Sequence, residues 1–144
     1  MKRPKTILAV DDDFAMLLAI KHRLEHAGYQ VDTASCGAEA INIVQDKKID
    51  VISLDVGLPG DMSGLDIASH LNANPHTATI PIIFITGYAD ESFKQRCRAV
   101  GAKYFLSKPY DPDLLIQILR SIFGEDALSE AQRISGAKRR QPVL

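Results

Sequence analysis

The sequence predicts an α/β fold, a doubly wound parallel sheet of five strands with helices on both faces. Five short apolar runs alternate with five segments in which apolar residues recur at helical spacing. This alternation is typical of repeated βαβ units, whose right-handed crossovers place helices on both faces of the sheet. Several of the apolar runs also end in charged or hydroxyl residues. Such residues lie at the carboxyl edge of a parallel sheet, where folds of this class bind ligands.

The first half of the chain contains three predicted strands and three predicted helices. The strands are the apolar runs Thr6–Val10 and Val51–Leu54 and, between them, the more polar segment Gln30–Ala34. The first helix runs from about Phe14 to Ala27, and Gly28 follows it as a C′ residue. The apolar faces of the three helices comprise Leu17, Ile20, Leu24 and Ala27, then Ala40, Ile41 and Val44, then Leu65, Ala68 and Leu71. A loop rich in glycine and proline, residues 57–64, precedes the third helix.

The second half continues the alternation. Residues 72–79, which include Pro75, form a predicted loop. The remaining strands are Ile80–Ile85 and Tyr104–Ser107. The fourth helix spans about Asp90 to Val100 and ends at Gly101, and the fifth starts near Pro112, a favourable first-turn residue. The fifth helix is predicted to bury Leu115, Ile118, Leu119 and Ile122.

Length and composition are those of one water-soluble domain. The chain has 144 residues and a net charge of -1, which does not favour direct binding to nucleic acid. No apolar segment reaches the length of a membrane span or of a signal-peptide core. Cys36 and Cys97 lack metal-ligand spacing, so we expect reduced thiols and a cytoplasmic protein.

The polar residues that end the apolar runs form a coherent chemical set. Asp11 and Asp12 follow the first run, Asp55 the third, Thr86 the fourth and Lys108 the fifth. Three converging carboxylates repel one another, and a bound cation relieves that repulsion. Ligands that are all oxygen select a hard ion such as Mg²⁺. The edge is therefore predicted to hold a divalent cation and a phosphoryl group.

These residues also carry a resemblance to a known family. The chain resembles the receiver domain of two-component response regulators from about Thr6 to Phe123. The matching motifs, in chain order, are Val10-Asp11-Asp12, Asp55, Leu58-Pro59, Gly64, Thr86 and Lys108-Pro109. The resemblance implies a flavodoxin-like (βα)5 fold with strand order 2-1-3-4-5. It also implies a receiver domain over residues 1–123. Residues 124–144 are then expected to be a tail or linker too short for an output domain of usual size, so the chain is either a stand-alone receiver or a piece of a longer regulator or hybrid kinase.

The resemblance further implies a role for each site residue. Asp55 would be the phosphoacceptor. Asp12, Asp55 and the backbone carbonyl of Gly57 would bind Mg²⁺ or Mn²⁺ directly, and Asp11 would act through a water. Residues expected to contact the phosphoryl group or to switch with it are Thr86, Gly87, Lys108 and Phe105. The Lys108-Pro109 peptide bond is cis in the family, and Phe105, which lacks a tyrosine hydroxyl, should favour its inward rotamer.

The expected function is phosphorelay signalling by a domain that is not an enzyme beyond self-catalysed phosphotransfer and slow autodephosphorylation. The phosphodonor would be the phosphohistidine of a histidine kinase or of a histidine phosphotransfer protein. Phosphorylation would shift the domain towards an active conformation that controls an output protein or domain. The fourth helix, fifth strand and fifth helix would form the active surface, which is also the expected face of a homodimer. No membrane or nucleic-acid contact is expected.

Three features depart from the family's pattern. One is the pair Gly57 and Tyr88, which lie two residues beyond Asp55 and Thr86 and flank the expected path of the water that hydrolyses the phosphoryl group. The loop between Asp55 and Gly64 is one residue longer than usual, through residues 60–63. This extra residue should reshape the start of the third helix and leave Asp55 and Gly57 in place. Asp13 extends the acidic pair to a run of three, which fits an N-cap for the first helix.

Two other functions use the same predicted sheet. One is a phosphohydrolase with an Asp-x-Asp motif, here Asp11 and Asp13, assisted by Thr86 and Lys108. That function leaves Asp55 without a role. The other is a flavodoxin-type cofactor carrier, but the acidic run after the first strand would repel the phosphate of such a cofactor.

Overall fold

Five parallel strands form the sheet, and they are β1 (Thr6–Val10), β2 (Gln30–Ala34), β3 (Val51–Asp55), β4 (Ile82–Thr86) and β5 (Tyr104–Ser107). Their order is β2-β1-β3-β4-β5. The computed structural model describes residues 3–58, 60, 62–87, 91–101 and 103–124 of the chain. Helices in these ranges are α1 (Phe14–His26), α2 (Gly37–Asp46), α3 (Gly64–Ala73), α4 (Glu91–Ala99) and α5 (Pro112–Phe123). The predicted doubly wound fold and strand order are confirmed.

Two apolar layers hold the helices on the sheet. On one face, β1 contributes Leu8 and Val10 to a cluster that includes side chains of α2, α3 and α4. On the other face, Ile7 and Ala9 join a cluster with side chains of α1 and α5. Because β1 is buried on both faces, its sequence is a continuous apolar run rather than an alternating one.

Local sequence signals define the helix ends. The Asp13 side chain accepts a hydrogen bond from the Met16 amide and so caps α1. Ser63 and Asp66 form a capping box at the start of α3. Gly28 follows α1 with φ of 103°, a left-handed conformation that glycine adopts at little cost. The predictions for Asp13 and Gly28 are therefore confirmed.

Two predicted boundaries are wrong. Strand β4 begins at Ile82 rather than Ile80, because the Ile80 amide donates to the Thr77 carbonyl in a turn and Pro81 has no amide hydrogen to donate. Helix α3 continues to Ala73, two residues beyond Leu71, whereas the loop is predicted to begin directly after that leucine. The predicted helix start at Asp90 and the tail after Gly124 lie outside the described residues.

Across the ranges described above, no helix has both the length and the apolar character that a bilayer span requires.

Close backbone packing joins α3 to the end of β3. A Cβ atom on Gly64 would lie 2.5 Å from the Asp55 carbonyl oxygen and 2.7 Å from the Val56 Cα. The Gly64 amide also donates to the Val56 carbonyl at 3.1 Å. These neighbours are backbone atoms, which cannot move aside as a flexible side chain can. Position 64 therefore requires glycine.

Replacing Gly64 by alanine should lower the free energy of unfolding by about 1–3 kcal/mol, the usual cost of forcing a methyl group into a packed site. Urea unfolding of the metal-free protein measures this change. Gly57→Ala is the matched control in the same loop, because its Cβ would meet only Asp55 Oδ1 at 3.8 Å. An equal loss of stability in the two variants would contradict the steric explanation.

Candidate functional site

Three carboxylates meet at the carboxyl edge of the sheet. Asp11 and Asp12 directly follow β1, and Asp55 is the last residue of β3. Strands β1 and β3 pair with Val10 beside Leu54, so their ends coincide. One oxygen from each of the three carboxylates lies within 4.8 Å of the others. Asp11 and Asp55 are each 6% exposed, whereas Asp12 is open to solvent.

Lys108 connects two of these carboxylates. Its Nζ lies 3.1 Å from Asp11 Oδ2 and 3.0 Å from Asp55 Oδ2. The lysine follows β5, two strands away from β3 in the sheet, so its long side chain crosses the end of β4. The Lys108 amide donates to the Thr86 carbonyl at 2.7 Å, which fixes the backbone from which the side chain extends. One ammonium group thus contacts two of the three clustered carboxylates.

Burial and charge shift the pKa values of this pair. Burial raises the pKa of the Asp11 carboxyl, and hydrogen bonds from the Asp13 amide and from Lys108 only partly oppose that increase. Burial also disfavours the charged form of Lys108, but its hydrogen bonds to Asp55 and Asp11 outweigh burial and raise the lysine pKa. Lys108 therefore remains an ammonium group, whereas burial disfavours the charged form of Asp11 more than the hydrogen bonds from Asp13 and Lys108 favour it.

Backbone amides orient the two buried carboxylates. Gly57 donates to Asp55 Oδ1 at 3.0 Å, and Asp13 donates to Asp11 Oδ1 at 2.9 Å. The amide of Asp11 itself donates to the Ala34 carbonyl at 3.1 Å. In both carboxylates, Oδ1 accepts from the backbone and Oδ2 faces Lys108. Sequence reasoning did not identify the Ala34 carbonyl, because its role depends on the pairing of β1 with β2.

The other predicted site residues lie either at the carboxyl edge of the sheet or in the core. Thr86 is the buried last residue of β4, and Gly87 follows it, with an ideal Cβ 4.0 Å from the Lys108 Cβ. Both lie at the same edge as the carboxylates. Phe105 instead lies in the core, 4% exposed, with Lys94 Nζ 5.2 Å from its ring centroid. The Lys108-Pro109 peptide bond is cis.

Two further residues next to the cluster have distinct roles. Asp13 caps α1 and is not among the described acidic groups that converge. Tyr110, which sequence reasoning missed, packs against the apolar layer of α1 and α5. Burial raises the pKa of Tyr110 to about 12, and the negative charge of Asp11 adds to the increase. Tyr110 therefore provides a neutral wall beside the charged groups.

Comparison with known proteins identifies the family. The family model described as the response regulator receiver domain matches residues 7–120. The chain belongs to the response regulator receiver family. Receivers of this family are phosphorylated on an aspartate and control an output through the resulting conformational change, and they bind Mg²⁺ at an acidic pocket. This receiver is accordingly a signalling domain.

Individual relatives agree with this assignment. The transcriptional regulatory protein KdpE of Mycobacterium tuberculosis is 33% identical over 138 residues, which are 96% of the receiver and 56% of KdpE. The phosphate regulon regulatory protein PhoB of Pseudomonas aeruginosa is 37% identical over 118 residues, 82% of the receiver and 51% of PhoB. The chain thus spans about half the length of these two curated relatives.

A solved structure resembles the receiver over most of its length. The chemotaxis protein CheY4 of Vibrio cholerae has a TM-score of 0.79 and 33% identity, covering 83% of the receiver and 99% of CheY4. This likeness agrees with the observed strand order.

The acidic cluster of the receiver suits a hard divalent cation. Its converging side chains offer only carboxylate oxygens, the donors that Mg²⁺ prefers. Asp12 is exposed, so an ion at this position would keep contact with solvent, as Mg²⁺ requires for its remaining water ligands.

Asp55→Asn should raise the free energy of unfolding of the metal-free receiver by about 1 kcal/mol, a typical effect of a single substitution. The change removes one of three repelling charges, and Lys108 keeps its contact with Asp11. Urea unfolding in the presence of a chelator measures the effect, and the same variant should bind Mg²⁺ more weakly. Lys108→Met should have the opposite effect. It removes the positive charge that contacts Asp11 and Asp55 and should therefore lower the free energy of unfolding of the metal-free receiver. A less stable Asp55→Asn variant would contradict the repulsion argument.

Proposed function

We propose that Asp55 of this receiver accepts a phosphoryl group from a phosphohistidine, on a histidine kinase or a histidine phosphotransfer protein, with Mg²⁺ or Mn²⁺ bound. The observation that carries the proposal is the double contact of Lys108 Nζ with Asp55 at 3.0 Å and Asp11 at 3.1 Å. This contact joins the only described cluster of three acidic groups to a cation suited to phosphoryl oxygens.

The proposed metal ligands are the carboxylates of Asp12 and Asp55 and the backbone carbonyl of Gly57. Asp11 would contact the ion through a water, which fits a carboxylate already engaged by both the Asp13 amide and Lys108. When bound, the ion neutralises charge on the carboxylate and phosphoryl oxygens. Asp12 is the exposed member of the set, so it faces the side from which the ion and its waters approach.

The residues of the chain would direct the transfer by position and charge. An Asp55 carboxylate oxygen forms the new P–O bond while the P–N bond to the donor imidazole breaks, and the imidazole leaves. The Gly57 amide holds Asp55 Oδ1, and Lys108 offers its positive charge to the transferred group. The Thr86 hydroxyl and the Gly87 amide would donate hydrogen bonds to the phosphoryl oxygens. Such positioning is the main requirement of phosphoryl transfer.

The proposed output is a population shift in which Phe105 takes part. The buried position of its ring supports a preference for the inward rotamer, and the Lys94 ammonium over the ring adds a cation–π attraction. The surface of α4, β5 and α5 would then contact an output protein or domain, or a second copy of the chain. The proposal includes the predicted cytoplasmic location, the receiver over residues 1–123 and the tail over residues 124–144.

The phosphohydrolase alternative assigns the phosphoryl group to Asp11 instead. Its second acid would be Asp13, whose side chain caps α1 by accepting from the Met16 amide at 3.1 Å. An acid committed to a helix cap is poorly placed to serve as general acid at Asp11. This contact favours Asp55 as the phosphoacceptor.

Incubation with a small acyl phosphate and Mg²⁺ should phosphorylate Asp55. Peptide mass spectrometry after reductive trapping of the acyl phosphate identifies the residue directly. Asp55→Asn should lose the modification, while Asp13→Asn should keep it, since Asp13 only caps a helix. Modification of Asp11 in the wild-type chain would refute the proposal and support the phosphohydrolase.

An apolar patch next to the site suggests where the phosphodonor protein binds. Phe14 is 72% exposed and Leu18 is 52% exposed, and among the described residues they are the large hydrophobic side chains most open to solvent. They lie at i and i+4 on α1, so they share one face of the helix. Phe14 directly follows the acidic run. A helix of the phosphodonor that covers both residues would bring its histidine to this edge.

Phe14→Ala and Leu18→Ala should each slow phosphotransfer from a cognate phosphohistidine protein by about tenfold, the effect of losing an interface contact worth about 1.4 kcal/mol. Transfer from a small acyl phosphate provides the control, and it should be unchanged because that donor needs no protein contact. Radiolabel transfer in a time course measures both rates. Equal slowing with the two donors would place the defect in the site rather than at a docking surface.

A further inference from the structure

Gly37 and Met62 form an unusually close contact between the start of α2 and the loop that follows β3. An ideal Cβ on Gly37 would lie 2.8 Å from the Met62 Cβ, 2.9 Å from the Met62 sulfur and 3.2 Å from Ile67 Cγ1. Gly37 is buried, and its φ is not in the left-handed region. The requirement for glycine here is therefore steric, set by the approach of Met62.

The Met62 side of this contact belongs to the loop that follows the proposed phosphoacceptor, Asp55. Met62 directly precedes Ser63, the N-cap of α3, and Gly64, whose amide donates to the Val56 carbonyl. Met62 also packs against the apolar cluster that buries Leu58. Leu58 and Met62 thus attach the loop after Gly57 to the core at two points.

The Gly37 side leads back to the other acidic loop. The Ala34 carbonyl accepts from the Asp11 amide at 3.1 Å. Ser35 donates to Glu39 through its amide at 2.9 Å and its hydroxyl at 2.6 Å, which holds the turn into α2. Gly37 lies only three positions beyond Ala34 in the chain. The contact with Met62 therefore closes a path between the segment of Asp11 and the segment of Asp55, on the outer side of the cluster.

We propose that Gly37 and Met62 are positioning residues that hold the loop of Gly57 against the segment of Asp11 and Asp12. The inference rests on the proposed metal site and extends it to residues that touch neither the ion nor the phosphoryl group. Contacts behind the ligands of a metal fix the ligand geometry, and their loss typically lowers metal affinity by about 10–100-fold. A methyl group on Gly37 would displace Met62 and release the loop at one of its two attachment points.

Gly37→Ala tests the proposal with two readouts that need no phosphorylation. In the metal-free protein, hydrogen exchange at the Gly57 and Gly64 amides should be faster than in the wild type, because these amides bond to Asp55 Oδ1 and to the Val56 carbonyl. In a calorimetric titration, affinity for Mg²⁺ should fall by about tenfold. If Asp55 is not phosphorylated, the proposed function fails, and these two measurements still decide the role of Gly37 and Met62.

Two further variants separate positioning from general loss of stability. Ile116→Val removes one methylene from the apolar layer on the other face of the sheet and should weaken the fold without changing Mg²⁺ affinity. Met62→Ala removes the sulfur without creating a clash and should act like Gly37→Ala even if the latter folds poorly.

The comparison with Ile116→Val decides the outcome. Mg²⁺ affinities of Gly37→Ala and Met62→Ala within about twofold of Ile116→Val, well short of the loss expected for ligand-supporting contacts, would overturn the proposal. Unchanged relative protection of the Gly57 and Gly64 amides would overturn it as well. Mg²⁺ binding that is weaker in both variants than in Ile116→Val, with faster exchange of the Gly57 and Gly64 amides, would establish it.

Discussion

The ammonium group of Lys108 is the interaction on which the site depends. It lies within 3.1 Å of a carboxylate oxygen on each of Asp11 and Asp55, and so links the end of β5 to the ends of β1 and β3. This contact is available because all the strands are parallel and therefore present their carboxyl ends at the same edge of the sheet. Without it, buried carboxylates would face one another at a low-dielectric edge, where repulsion is strong. The topology and the charge arrangement therefore support each other.

The carboxyl edge of the sheet, called the rim below, and the apolar layers on its two faces contribute to the free energy of folding with opposite sign. The two apolar layers bury side chains from every strand and hold the sheet between its helices, which supplies most of the favourable free energy of folding. The rim concentrates negative charge that opposes folding until a cation is bound. Gly64 and Gly37 allow the rim segments to pack directly on backbone or on Met62. Close packing thus holds repelling groups together, a common cost of preorganised binding sites.

Sequence patterns predicted the features that depend on local signals. The apolar runs end where their strands end, so the sequence pattern alone assigns Asp11, Asp55 and Lys108 to one edge of the sheet. The start of β4 was missed because the turn at Thr77 and the missing amide of Pro81 removed two residues from an otherwise strand-like run. The contact of Gly37 with Met62 joins distant segments, and no local pattern encodes it. It forms only when the start of α2 packs against the segment that precedes α3.

The three acidic residues of the site differ in their exposure to solvent. Asp11 and Asp55 are covered and face Lys108, whereas Asp12 is open to solvent. A cation at the proposed metal site would therefore have contact with solvent at Asp12. Phe14 lies two residues beyond Asp12, and its exposed ring belongs to the same turn of chain. The exposed carboxylate and the proposed docking patch are thus close neighbours in the chain, so a protein bound at the patch would present its phosphoryl group beside the proposed metal site.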